Sequence, residues 1–226
     1  GGRGVAVAVD HRDDAAVAAL FERVQRDEGR LDILVNNAAI IDDSLITTAG
    51  FWEHPLSQVD ILDVGLRSGY VASYYAAPLL IRTGGGLIVF TSSFGGGCYM
   101  HGPAYGAQKA GVDKFAADMG VDLKEKDVAA ISIWMGPLMT ERSKKAIEER
   151  PDQYEAIMAN AESPEFTGQV IAAVHAAPDR MALSGQTLIG AELGERYGIT
   201  DLDGRQPPSY REMLGAPRVA HPAVIR

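Results

Sequence analysis

Cysteine is almost absent from this chain: Cys98 stands alone among 226 residues. No internal disulfide can form, and such usage fits a reducing compartment such as the cytoplasm. Aromatic residues are sparse at 7%, and positive charge is short, with 21 Lys and Arg against 30 Asp and Glu and a net charge of −9. That balance argues against nucleic acid or an anionic membrane as partner. No apolar run reaches the ~18 residues that a membrane span needs; the longest, Val71 to Ile81, is interrupted by Ser73 and Pro78. The histidines are scattered, with no His-Glu-x-x-His and no Cys-x-x-Cys, so no metal site is expected. The first residues do not read as a signal peptide, and no internal repeat is visible.

What is present is ordinary for a globular protein, 46% apolar and 23% charged, at a length that suits one α/β domain. Val5 to Val9 reads as a buried strand ending at Asp10, and Asp13-Asp14 as the cap of a helix over Ala15 to Asp27, stopped by Gly29. Leu31 to Val35 is a second buried strand. A loop from Ile40 to Gly50 precedes a long helical pattern from about Leu56 to Ile81. Gly84-Gly85-Gly86 turns into a third strand, Leu87 to Phe90. A helix starts near Pro103 and runs to about Lys126, followed by a strand over Ala129 to Trp134. Glu141 to Phe166 is charged and helix-prone. Ser163-Pro164 opens a helix through Ala177, and Gln186 to Ile189 is a last short strand. The tail from Arg205 is expected to pack irregularly or fray. Strand, helix, strand in alternation implies a doubly wound parallel sheet with helices on both faces. Ligands then bind outside the carboxyl ends of the strands, where Asp10, Asn36-Asn37, Ser93 and Gly136 fall.

One stretch carries chemistry. Tyr105 and Lys109 are spaced i, i+4, which puts them on one helix face, one turn apart. A tyrosine titrates near ~10, and a neighbouring ammonium favours its phenolate. Ser93, delivered by a strand end, can bring a hydroxyl to the same point. Serine, tyrosine and lysine together can polarise a carbonyl and move one proton. The bare spacing is a weak signal, since a helical tyrosine is usually a packing residue and a lysine one turn away usually part of a solvated face.

In context these residues resemble the classical short-chain dehydrogenase/reductase family, over nearly the whole chain from Asp10 to about Ile189. Leu34-Val35-Asn36-Asn37-Ala38-Ala39 is similar to the family's strand-end Asn-Asn-Ala-Gly, with Ala39 in place of the glycine. Ser93, Tyr105 and Lys109 match its catalytic set. Met135-Gly136-Pro137-Leu138-Met139-Thr140 is similar to its Pro-Gly-x-x-x-Thr loop, with Met135 in place of the proline. The run Tyr197 to Gly204 resembles one branch of the family.

The resemblance implies an NAD(P)-dependent oxidoreductase with a Rossmann-like fold, interconverting a carbonyl and an alcohol. Tyr105 would be the general acid or base; Lys109 would lower its pKa and hold the nicotinamide ribose; Ser93 would orient the carbonyl. Asp10 and His11 would meet the adenine, and Asn37 and Ala38 the adenosine ribose side, with Asn36 tying strands together. Leu138 and Thr140 would border the nicotinamide carboxamide. For Asp10 and Thr140, helix capping is the competing role. The pocket would lie between Ser93, Tyr105 and the segment after Gly136, walled by Phe94, Tyr99, Met100, Leu138 and Met139. Its lid would be residues 141–166, its substrate a medium-sized apolar ketone, aldehyde or secondary alcohol. A homodimer or homotetramer would form through the Leu56–Ile81 and Pro103–Glu125 helices. The competing reading is a catalytically silent dinucleotide-binding or scaffold protein on the same fold.

Two departures accompany the resemblance. The family's long helix usually carries an asparagine that supports a proton relay to the lysine; the matching run is Val64-Gly65-Leu66-Arg67, so either a water or a backbone carbonyl completes the relay or proton transfer is slower. The family's first strand, its glycine-rich phosphate turn with the first helix, and its second strand have no counterpart here, and the residues that separate NAD from NADP would lie there. The expectation is therefore that the natural protein has several tens of further residues upstream.

Overall fold

The computed structural model describes residues 2–45 and 49–226. Ile46 to Thr48, within the expected 40–50 loop, lie outside the described residues. Four strands form one parallel sheet in the order β1 (Ile33–Asn36), β2 (Gly86–Ser92), β3 (Val128–Trp134), β4 (Thr187–Ile189). β2 and β3 are buried at every position, as parallel strands covered on both faces require. Side-chain alternation sorts them into two layers. Ile88, Phe90, Val128 and Ala130 pack against α1 (Asp14–Asp27), α2 (Ser68–Thr83) and α3 (Pro103–Leu123). Leu87, Val89, Ala129, Ile131 and Ile133 face α6 (Pro164–Ala176) and α7 (Gly190–Tyr197). Between β3 and α6 lie α4 (Glu141–Glu149) and α5 (Pro151–Met158), and a single turn, α8 (Arg211–Leu214), interrupts the tail.

Most helix ends follow the local chemistry. The Asp13 carboxylate caps α1, accepting from the Ala15 and Ala16 amides, Ser163 caps α6, and Gly29 turns the chain out of α1 at φ 71°.

Two expectations fail. Val5 to Val9 forms no strand and pairs with none among the described residues, and Val5 and Val7 are exposed. A β-branched run supplies propensity; a ladder needs a neighbour, and β1 is hydrogen-bonded to β2 alone. The Leu56–Ile81 pattern is also broken. A tight 3₁₀ segment (Leu56–Leu62) meets a wide π turn (Asp63–Arg67), and α2 starts afresh at Ser68. The break sits at Val64 (φ −108°, ψ 98°) and Gly65 (φ 138°, ψ −32°), the latter a conformation that suits glycine alone.

The near end of the tail is anchored, while residues 215–226 form no helix or strand and Val219 and Ile225 stand exposed. Arg211 makes a two-pronged ion pair with Glu192 of α7, and the Tyr210 ring stands edge-on to Phe94 at 6.2 Å.

Candidate active site

The carboxyl end of β2 delivers Ser93, and the amino end of α3 delivers Tyr105. Before α3, His101 (φ 55°) and Gly102 (φ 87°) turn the chain sharply, and Pro103 takes the first helical position. Tyr105 then lies in the first turn and Lys109 one turn on. The Ser93 Oγ and Tyr105 Oη are 2.9 Å apart, while Ser93 Oγ also accepts from the Gly95 amide at 3.2 Å. A Cβ on Gly95 would fall 2.6 Å from Tyr105 Cε1, so this close approach needs glycine.

Lys109 is 8% exposed. Its amine lies 5.4 Å from the Tyr105 ring centroid and donates to the Thr91 carbonyl at 3.3 Å. Burial lowers Lys109 to about 8, with the Asp113 carboxylate opposing the shift. The phenol moves opposite to the expected direction. Burial pushes Tyr105 above its usual value, and the Ser93 hydrogen bond only partly offsets this. The amine sits over the ring rather than beside the oxygen, so its charge does little for the phenolate in this arrangement.

The other expected residues divide. Asn37 is exposed at the end of β1, and its Oδ1 accepts from Thr91 Oγ1 at 2.9 Å, so Thr91 links Asn37 to Lys109. Ala38 follows it, also exposed. Asn36 ties β1 to both neighbours: its side-chain amide donates to Ser73 Oγ of α2 at 3.0 Å, and its carbonyl accepts from Thr91 Oγ1 of β2 at 3.3 Å. Leu138 and Thr140 lie on the loop leaving β3, which starts beside Ser93 because Trp134 pairs with Ser92. Thr140 also caps α4. Asp10 and His11 form the turn into α1, where the Asp10 carboxylate accepts from the Arg12 amide at 2.9 Å. No hydrogen bond among the described residues joins them to Ser93, Tyr105 or Lys109. Of the expected walls, Phe94 belongs to the core, 5.1 Å from Trp134 ring to ring. Tyr99 is exposed, and Met100 and Cys98 pack partly buried beside that pair.

Four residues join the site unannounced by sequence. The His101 ring stands edge-on to Tyr105 at 5.1 Å, and burial lowers its pKa. The Asp113 carboxylate, one turn past Lys109, accepts from Ser132 Oγ at 2.6 Å and Trp134 Nε1 at 2.9 Å. Gln108 is buried and donates to the Gly65 carbonyl at 2.8 Å, so that carbonyl, a candidate substitute for the family asparagine, is already engaged. Glu162 is buried against the 136–140 loop. The i, i+4 spacing of Lys109 and Asp113 was visible in the sequence; the others depend on contacts between distant segments.

A family model described as short chain dehydrogenase matches residues 1–151. Dehydrogenase/reductase SDR family member 1 of Mus musculus is 40% identical over 221 residues, covering 93% of this chain and 71% of that protein; its Homo sapiens counterpart is 38% identical over the same span. Among solved structures, one from Xanthomonas campestris shares 25% identity at a TM-score of 0.72, over 91% of this chain and 73% of that one. ElxO, solved with NADP bound, shares the fold at a TM-score of 0.70 and 21% identity, over 80% and 74% of the two chains. The chain therefore belongs to the short-chain dehydrogenase family, in the branch of Dehydrogenase/reductase SDR family member 1, and is an oxidoreductase dependent on NAD or NADP.

Proposed function

We propose that this protein interconverts a carbonyl and an alcohol by hydride transfer, with Tyr105 as general acid or base, Ser93 orienting the oxygen and Lys109 holding the nicotinamide ribose. The observation that carries this reading is the 2.9 Å approach of two hydroxyls beside a buried amine on the same helix face. The residues present fit the nicotinamide end of a dinucleotide. A buried amine, the Asn37–Thr91 pair and the 136–140 loop all lie at the carboxyl ends of strands, where such ligands sit. Asp10, His11 and Ala38 complete the proposed cofactor contacts on the adenosine side, and Leu138 and Thr140 those to the carboxamide. Bound there, the nicotinamide gives or takes the hydride.

In reduction, the Tyr105 phenol gives its proton to the substrate oxygen while the Ser93 hydroxyl donates a hydrogen bond to it. Burial raises the phenol above its usual value, so the phenolate that oxidation needs is harder to form. In oxidation, the phenolate takes the alcohol proton, while Lys109, cationic below about 8, holds the nicotinamide ribose. Tyr99, Met100, Leu138 and Met139 form a soft wall suited to a medium-sized apolar ketone, aldehyde or secondary alcohol. The lid is α4 and α5; Phe166, at the end of the expected 141–166 range, is 0% exposed in the core. The chain works as one domain, with residues 206–211 of its tail held on α7.

Tyr105→Phe tests the reading. With NADH or NADPH and a carbonyl panel followed by nicotinamide absorbance, kcat/KM should fall about 10²- to 10⁴-fold with the fold intact by circular dichroism. Turnover equal to wild type would remove Tyr105 from the chemistry.

A further inference from the structure

Glu162 is 1% exposed, and the reaction above does not use it. Its Oε1 accepts from the Gly136 amide at 3.2 Å, while Oε2 is buried without a partner among the described residues. Its backbone is stitched to the same loop: the Glu162 amide donates to the Pro137 carbonyl at 2.7 Å, and the Met139 amide donates to the Glu162 carbonyl at 2.8 Å. The fit is close enough that a Cβ on Gly136 would lie 2.6 Å from Glu162 Oε1 and 3.2 Å from Tyr210 Cε2.

The stretch Tyr197 to Arg205 supplies the other half of this arrangement. Asp201 accepts from the Ser163 amide at 2.8 Å and from its hydroxyl, and Arg205 donates to the Ala161 carbonyl at 2.8 Å. The residues on both sides of Glu162 are thus held by one turn, which is itself closed by the Asp201 amide on the Arg205 carbonyl.

We propose that Glu162, seated by the Asp201–Arg205 turn, is a positioning residue that clamps the 136–140 loop at its place beside Ser93. The clamp rests on the proposed function for its purpose, because that loop is the one assigned to the nicotinamide. Three groups face the carboxyl: Asp201 and Arg205 from the turn, and Tyr210 from the tail. The loop itself presents only a backbone amide. Burial first, and Asp201 after it, raise Glu162 to about 7, against the Gly136 amide and Arg205. The sign follows: the folded protein holds this proton where the unfolded chain has lost it. The clamp's contribution is complete below the ordinary 4.5 and is lost as pH rises through about 7.

Hydrogen exchange of the 135–142 peptide, corrected for intrinsic rates, tests this in wild type, Glu162→Ala and Glu162→Gln. Protection in wild type should drop severalfold between pH 6 and 8.5. Glu162→Gln, neutral and of equal shape, should hold its protection at both pH values, and Glu162→Ala should exchange at least tenfold faster at both. Identical pH curves for wild type and Glu162→Gln, or unchanged protection in Glu162→Ala, would overturn the clamp; should Glu162→Ala fail to fold, the Gln curve decides. Fluorescence titration with NADH and NADPH separates the two claims. No binding with the exchange pattern as expected leaves the clamp standing and removes the cofactor role.

Discussion

A lysine amine with one carbonyl partner and almost no water is an unusual thing to keep cationic. Lys109 titrates near about 8 instead of its ordinary 10.5. Between those values the unfolded chain holds more protons than the folded one, so stability should rise with pH across that window. At neutral pH the burial costs roughly 3 kcal/mol by the same difference. Lys109→Met should therefore unfold in urea no earlier than wild type at pH 7 and lose the rise above pH 8, while catalysis falls at least a hundredfold. A variant less stable at pH 7 would show that the amine is a structural donor. At this scale Tyr105 and Lys109 were legible because their geometry is local, one helical turn. Ser93 was legible as a strand end. Glu162 was not, because its partners Gly136 and Asp201 lie 26 and 39 positions away, and in sequence it is one more acid in a charged stretch.

Among the elements, the connection into α2 shows where periodicity misleads. Apolar spacing from Leu56 to Ile81 is continuous enough to predict one helix, yet the chain breaks at Gly65, where φ is 138°. The break is fixed from outside: the Ile40 amide donates to the Val64 carbonyl at 3.0 Å, and Gln108 to the Gly65 carbonyl. Nothing within the helical pattern encodes those partners. Gly65→Ala should cost about 1–3 kcal/mol, the usual range for a residue forced into such a backbone conformation. The new Cβ would also stand 3.1 Å from Gln108 Nε2. Urea unfolding should show a lower midpoint with an unchanged slope; an unaltered midpoint would mean that the kink relaxes freely. Val5 to Val9 teaches the same lesson for strands, since its pattern is sound and its ladder partner is what it lacks.

For the whole molecule, the three layers were readable because β2 and β3 are near-continuous apolar runs of the kind a doubly covered parallel sheet accommodates. The outer faces of α2 and α3 are a different matter. Tyr74 is 65% exposed, with Tyr70, Ile81 and Val121 also open to solvent, and Tyr70 lies against Phe115 across the two helices at 5.6 Å. We take this face as the self-association surface of the proposed homodimer or homotetramer. Light scattering should report a multiple of 24.1 kDa, and the double change Tyr70→Glu with Tyr74→Glu should shift the distribution to monomer; a wild-type monomer at tens of micromolar would refute it. Cys98 has a consequence of a practical kind. The sole thiol of the chain sits partly open beside Phe94 and Met100, on the segment between Ser93 and Tyr105. A sulfhydryl-directed dye or spin label must therefore attach at one place, next to the oxygens proposed to react, giving the native protein a built-in reporter handle without a single engineered residue.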